Sequence, residues 1–322
     1  MAVTWQPTAS IDILRERAQI LGRIRSFFME RGVLEVETPL LSHATVTDPY
    51  IMSIVAPFKQ IGSTKEELCY LQTSPEYAMK RLLAAGTGAI FQITKSFRQG
   101  EVGRIHNPEF SMLEWYRPGF DHHALMDEMD ELLRVVLQSP VATRRSVAQV
   151  YEHYLGIDPH RATVAELKAC AEQHVEQLPS IQDDKNSWLD LLFTHSIEPH
   201  LGKDAPFFLY DFPVSQAALA KIRLEDPPVA SRFEVYYKGI ELANGFHELQ
   251  DVAEQRRRFE NDLAYRKQNN ISLVAMDERF LAALQHGIPD CAGVALGIDR
   301  LIMLALECET IDGVISFAFS SA

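Results

Sequence analysis

Residues 91–116, FQITKSFRQGEVGRIHNPEFSMLEWY, constrain the fold more than any other part of the chain. A half-apolar approach through Phe91, Ile93 and Phe97 enters a glycine-punctuated, charged tip, and an alternating run returns from Phe110 to Tyr116. Two such runs around a glycine-bearing connection predict a β-hairpin with a long polar loop. The tip carries Arg98, Glu101, Arg104, His106 and Asn107, a set that suits an anionic group beside a polar heterocycle. A charged tip alone reads better as an ordinary solvated hairpin end. The rest of the chain decides between the two.

Upstream, residues 10–31 space Ile13, Leu14, Ala18, Leu21, Ile24, Phe27 and Phe28 at a helical period, with Ser10 or Asp12 as cap and Gly32 as stop. Residues 33–41 alternate as a strand that Pro39 interrupts, which places that strand at an edge or a break in pairing. A short strand is predicted over 68–72. Thr73 or Ser74 then caps an amphipathic helix with Pro75 at its first position and Glu76 in the first turn, where the helix dipole favours a carboxylate. Residues 121–178 read as mostly helical and 179–228 as mixed, with a helix near Trp188 and an aromatic strand over 207–212. The expectation is one domain over 1–322 with a mostly helical insertion at about 121–228.

Composition narrows the function. With 322 residues, 47% apolar and 23% charged, the chain can build a sizeable core. A net charge of −13 argues against holding a nucleic-acid backbone over a broad surface. The four cysteines show no CxxC spacing, so neither a disulfide framework nor a zinc site is expected. No leader-like or membrane-spanning run is visible, and a cytoplasmic protein is expected.

Two further stretches carry chemistry. In RFEVYYKGIELANGFHELQD, residues 232–251, two alternating strands meet at Lys238 and Gly239. Strict alternation puts Glu241 on one face and Asn244 and Glu248 on the other, so a shared site needs a bulge, expected at Gly245. Buried carboxylates there demand a cation, an ammonium group or a metal-bound phosphate, although a salt-bridged sheet surface also fits. In CAGVALGIDRLIMLAL, residues 291–306, small residues alternate with apolar ones before Arg300 enters a helix. A flat ring can lie close to such a backbone, and a guanidinium at the helix start can meet a phosphate.

Taken in order, the proline-bearing strand after a long helix, Phe97 and Arg98 with HNPEFSMLEWY, Glu241-Leu242-x-Asn244-Gly245 and GVALGIDR resemble motifs 1, 2 and 3 of class II aminoacyl-tRNA synthetases. Within that class the chain is similar to the lysyl-tRNA synthetase catalytic domain. It most resembles the truncated family of elongation factor P β-lysine ligases, which lack the anticodon-binding barrel. The resemblance implies an α+β fold, an antiparallel sheet flanked by helices, dimerised near Pro39. It implies ATP as co-substrate, Mg2+, β-lysine and elongation factor P as partners, and neither tRNA nor a membrane.

By motif, Arg98 and Arg300 are the implied catalytic arginines, on the α- and γ-phosphate sides. Arg98, Gln99, Gly100, Glu101, His106, Asn107, Glu241, Leu242, Gly297 and Arg300 are implied to seat ATP, with Glu241 and Glu248 on the metal. Ser74, Pro75, Glu76, Tyr116, Glu248 and Ala295 are implied to bind the amino acid. Two departures stand out. Lysyl synthetases read Arg-Asn-Glu where this chain has Arg98, Gln99, Gly100 and Glu101, so the adenine-reading carboxylate is displaced or replaced. Ala295 stands where they carry glycine, and its methyl is expected to disfavour α-lysine. A tRNA-charging fragment, an asparagine synthetase of the same fold and a non-catalytic regulatory paralogue remain as alternatives.

Overall fold

The computed structural model describes residues 5–322. In chain order its elements are α1 (Ile11–Met29), β1 (Leu34–Glu35), β2 (Leu41–Ser42), β3 (Val55–Lys59), β4 (Glu66–Leu71), α2 (Glu76–Ala84), β5 (Ile90–Phe97) and β6 (Glu109–Pro118). Then come α3 (His122–Leu137), β7 (Thr143–Ser146), α4 (Val147–Leu155), α5 (Val164–His174), α6 (Lys185–Leu192), β8 (Phe207–Pro213), β9 (Ile222–Arg223), β10 (Val229–Tyr237) and β11 (Ile240–His247). The chain closes with α7 (Val252–Gln268), α8 (Glu278–His286), β12 (Cys291–Gly297) and α9 (Ile298–Ala305). No described helix is long and apolar enough to cross a membrane.

The chain divides into two compact units. The first contains the described residues up to Gly119, Gln250–Cys291 and Ala295–Ala322; the second contains Phe120–Leu249 and Ala292–Val294. In the first unit the strand order is β1-β5-β6-β12, and β2-β4-β3 forms a separate three-stranded sheet. As the helical period predicts, α1 runs along residues 11–29, and Ser10 caps it by accepting the Ile13 N–H. Its Phe28 ring stacks on Phe91 at 4.7 Å and meets Trp115 edge-on at 5.1 Å, which fixes the helix on the β5–β6 hairpin.

The strand expected over 33–41 is instead two short pieces. Leu34 and Glu35 pair in parallel with Ile90 and Phe91, whereas Leu41 and Ser42 pair antiparallel with Leu71 and Tyr70. Pro39 lies between, without a ladder donor, where the chain leaves one sheet for the other. The expected cap of α2 also shifts. Pro75 is the N-cap, and Ser74 Oγ accepts the Glu76 N–H at 3.1 Å in place of a side-chain cap bond to the helix interior.

In the second unit the order is β11-β10-β8-β7, with β9 on β10. Its core joins Tyr151, Leu167, Trp188, Leu192 and Leu209, so helices α4 to α6 share apolar cover with β8. Strand β7 was not legible in a segment read as helical, because TRRS has no apolar alternation and its backbone pairs with β8 from one side only. That pairing and β1 on β5 are parallel, while β5–β6, β8–β10 and β10–β11 are antiparallel. The fold is therefore α+β with mixed rather than purely antiparallel pairing.

Candidate active site

In the first unit, β5 and β6 pair without a break from Ile90↔Tyr116 to Phe97↔Glu109. Glu114 and Tyr116 therefore share one face of β6. Both are buried, and the Tyr116 hydroxyl donates to Glu114 Oε1 at 2.6 Å. Ser74 Oγ donates to Glu114 Oε2 at 2.7 Å. One turn into α2, the buried Lys80 donates to Glu76 Oε1 at 2.6 Å. Burial, then the charge of Glu76, pushes the Glu114 carboxyl up to about 8, against the bonds from Tyr116 and Ser74 and the pull of Lys80. Lys80 balances Glu76, and Glu114 stays the protonated acid at neutral pH, ionising only beside a further cation. An ammonium group is the complement it lacks.

The structure thus brings together Ser74, Pro75, Glu76 and Tyr116 of the sequence-predicted set, and joins them through Glu114. Sequence reasoning missed Glu114, since a lone glutamate in an apolar strand reads as alternation noise. The available signal was its spacing, two residues before a tyrosine on an otherwise buried strand.

At the far end of the hairpin the Arg98 N–H donates to Pro108 O at 2.9 Å and closes the loop. Its guanidinium lies 5.1 Å over the Phe110 ring, with Nη1 3.6 Å from Glu101 Oε1. Arg98 Nε is buried without an acceptor. A buried cationic donor of that kind marks a place for an anion. Gln99 donates its N–H to Met52 O at 2.7 Å, and Gly100, at φ +84°, makes the turn that follows. Gly103 and His106 exchange N–H···O bonds of 3.1 and 3.2 Å, which pins the tip.

Arg300 reaches this tip from the start of α9. Its Nη2 donates to His106 Nε2 at 2.6 Å and its Nε to Ile105 O at 3.2 Å. Burial and the Arg300 charge hold His106 below the ordinary imidazole range. The ring is neutral, with Nε2 as acceptor and the proton on Nδ1. Asp299 anchors the same helix end: it accepts the Ser111 N–H at 2.6 Å and pairs with Arg17 at 2.6 Å. Asn107 faces the C-terminal segment, its Nδ2 donating to Glu109 O at 2.6 Å and its Oδ1 accepting from Phe319 N at 3.0 Å. Gly297 is the N-cap of α9, and Ala295 is half-buried on β12.

The second unit holds Glu241, Leu242 and Glu248. A type I′-like turn, Lys238 and Gly239 at φ +50° and +71°, joins β10 to β11. The register runs Glu234↔Asn244 and Val235↔Ala243, then shifts to Tyr236↔Glu241. The bulge therefore falls at Leu242, not at Gly245 as expected. Gly245 serves a different need: a Cβ there would lie 2.5 Å from the Phe233 ring and 2.9 Å from Val294. Close packing excludes a side chain at 245, and the ladder runs straight through it. Because of the extra residue, Glu241 and Asn244 point to one face with Glu234 and Tyr236. Arg232 donates to Asn244 Oδ1 at 3.2 Å, pairs with Glu234 and lies 4.4 Å over Phe212. Tyr236 donates to Glu234 at 2.5 Å. Glu248 follows the strand, bridges in backbone to Ala220 and is 1% exposed.

The sequence model of the class II tRNA synthetases for D, K and N matches residues 3–321. A protein of Vibrio parahaemolyticus named elongation factor P–(R)-β-lysine ligase is 53% identical over 323 residues, all of both chains. Proteins of the same name are 54% identical in Vibrio cholerae, over 99% of this chain and 98% of that one, and 52% identical in Salmonella paratyphi B over the same shares. With this match running almost end to end over a hairpin, a bulged strand and a helix start in the same order, the chain belongs to the class II tRNA synthetase family.

Proposed function

We propose that the chain is an ATP-dependent ligase that activates (R)-β-lysine as an acyl-adenylate and passes it to a lysine side chain of elongation factor P. The relatives' shared name and the full-length identity support the reaction. The observation that carries the site is the buried carboxyl cluster of Glu76 on α2 and Glu114 on the hairpin, the same hairpin that presents Arg98 with an Nε unpaired among the described residues. A diamino acid offers the ammonium group the first requires, and its carboxylate beside a phosphate offers the anion the second requires.

In the first step a carboxylate oxygen of β-lysine attacks the α-phosphorus of ATP, and the bond to pyrophosphate breaks. Arg98 holds charge as it moves between the two oxygens, a preorganised donor that needs no proton transfer. Arg300, oriented by neutral His106, binds the γ-phosphate side. In the second step the neutral amine of the acceptor lysine attacks the acyl carbon and AMP leaves. In the first unit Tyr116, Ser74, Glu76 and Glu114 hold the substrate's amines, and Gln99, Gly100, Glu101, Asn107 and Gly297 line the nucleotide.

Among the described residues no group of three or more His, Cys, Asp or Glu is arranged to hold a metal. Two carboxylates, Glu241 and Glu248, fit Mg2+ that arrives on the nucleotide, since that ion keeps water and phosphate ligands and takes only one or two carboxylates. When bound it neutralises phosphate charge.

The test is amino-acid-dependent ATP–pyrophosphate exchange with both β-lysine enantiomers and α-lysine, followed by labelling of elongation factor P. Exchange greatest with (R)-β-lysine is expected; none with any of the three sinks the reading in favour of a regulatory protein. In the same assay Ala295→Gly should shift the β- to α-lysine ratio toward α-lysine by about 1–3 kcal/mol, the worth of one methyl in a pocket. An unchanged ratio refutes the role of Ala295.

The same reading makes the protein a cytoplasmic homodimer. On one face of the β2-β4-β3 sheet Val55 and Leu68 are 49 and 56% exposed, an apolar surface of the kind a partner covers. Sedimentation equilibrium should give twice 36.5 kDa, and Val55→Glu with Leu68→Glu should give the monomer. A wild-type monomer at micromolar concentration overturns it.

A further inference from the structure

Arg266 is a buried cation that none of these roles uses. It lies near the end of α7, is 1% exposed, and has no carboxylate bonded to its guanidinium. It collects backbone carbonyls instead: Nε donates to Thr47 O at 2.7 Å, Nη1 to Ser272 O at 2.8 Å, and Nη2 to Asp48 O at 2.6 Å and Ile51 O at 3.2 Å. Neighbours on the same helix hold the same segment. Asp262 accepts from Thr47 Oγ1 at 2.7 Å, and the Tyr265 and Tyr50 hydroxyls meet at 3.3 Å. A hydroxyl contact of 2.5 Å between Thr45 and Ser53 closes its base.

The segment so fixed leads directly to the reactive loop. The residue after Ile51 is Met52, whose carbonyl accepts the Gln99 N–H at 2.7 Å, next to Arg98. Ile54 O accepts from Leu71 N, and Gln72 O from Phe97 N on the other side of Arg98. Arg98 is thus held between two backbone bonds, and one of them hangs on carbonyl groups that Arg266 organises. A planar fork can bridge several carbonyls at once, which an ammonium cannot.

We propose that Arg266 is a positioning residue for Arg98, setting the height of the 98–104 loop through the 47–52 segment. The inference rests on the ligase reading for its kinetic consequence but not for its structural one. The amine cluster is tied separately, Ser74 and Tyr116 to Glu114 and Lys80 to Glu76.

The experiment compares wild type, Arg266→Ala and Arg266→Lys. Peptide-level hydrogen exchange on the protein without substrates should show faster exchange over 98–104 in Arg266→Ala, with peptides covering 112–116 unchanged. In pyrophosphate exchange, kcat should fall at least tenfold while KM for β-lysine stays within about twofold, with Arg266→Lys intermediate. Added guanidinium at millimolar concentration should restore part of kcat in Arg266→Ala and none in Arg98→Ala. Unchanged exchange over 98–104 overturns the proposal, as does a kcat loss that guanidinium leaves untouched while it raises the melting temperature. If Arg266→Ala does not fold, Arg266→Lys carries both readouts. A wild-type protein inactive with β-lysine refutes the ligase reading alone, since the hydrogen-exchange arm still decides the positioning role.

Discussion

Replacing Arg98 by alanine should lower β-lysine-dependent pyrophosphate exchange by about 10²–10³-fold, the usual consequence of removing one preorganised donor to a charge-shifting centre. The melting temperature should hardly move. Arg98 pairs only loosely with Glu101, at 3.6 Å, and its Nε has no acceptor among the described residues. Little native stability is at stake, and removing a buried donor without an acceptor can even help. Arg98→Lys should recover only a minor part of the rate, because an ammonium cannot engage a carboxylate and a phosphate through one rigid plane. A loss smaller than tenfold in Arg98→Ala would place the reacting groups elsewhere.

Glu114→Gln should raise KM for β-lysine about 10- to 100-fold while leaving the fold intact. A glutamine amide can still accept from Tyr116 and meet Ser74, so the network keeps its shape and loses only the ability to ionise beside an incoming ammonium. Hydrogen bonds to charged groups are worth about 1.5–3 kcal/mol, which sets that range. The linkage has a definite sign. The carboxyl is pushed up to about 8 from an ordinary 4.5. Between those values the native protein binds more protons than the unfolded chain, so this group's contribution to stability falls as pH rises. Wild type should therefore lose melting temperature from pH 5 to 8 more steeply than Glu114→Gln. An incoming ammonium favours the ionised carboxyl, so β-lysine binding at pH 7 should release a proton. Calorimetry in buffers of different ionisation enthalpy should detect that release in wild type and its absence in the variant; equal proton counts would refute the assignment.

The hairpin, the first helix with its serine cap, and the Lys238-Gly239 turn were legible because each depends on neighbours along the chain. What was not legible depends on partners far away in sequence. The site of the bulge is set by how β11 meets β10, and Gly245 looked like its cause because a glycine in a strand has more than one use. Strand β7 exists only because β8 lies beside it. The clustering of Glu114 with Glu76 and Lys80 needs α2 to pack on the hairpin, and no local pattern announces that. Arg266 carries no local sequence signal, since its burial depends on the carbonyls of residues 47–51 that close around it.

The bulge at Leu242 also separates two kinds of sequence change that are usually grouped together. Position 242 contributes chain length before it contributes chemistry. Another apolar residue there leaves Glu241 and Asn244 on their shared face. Flattening the bulge with every residue kept would restore plain two-residue periodicity and turn Glu241 to the opposite side of the strand, whereas removing residue 242 leaves Glu241 two positions before Asn244 and on the same face. Two residues between a functional glutamate and asparagine, odd for a β-strand, thus go together with a bulge, and an in-frame loss of the codon for 242 spares the shared face that a flattened bulge with the residue kept would destroy.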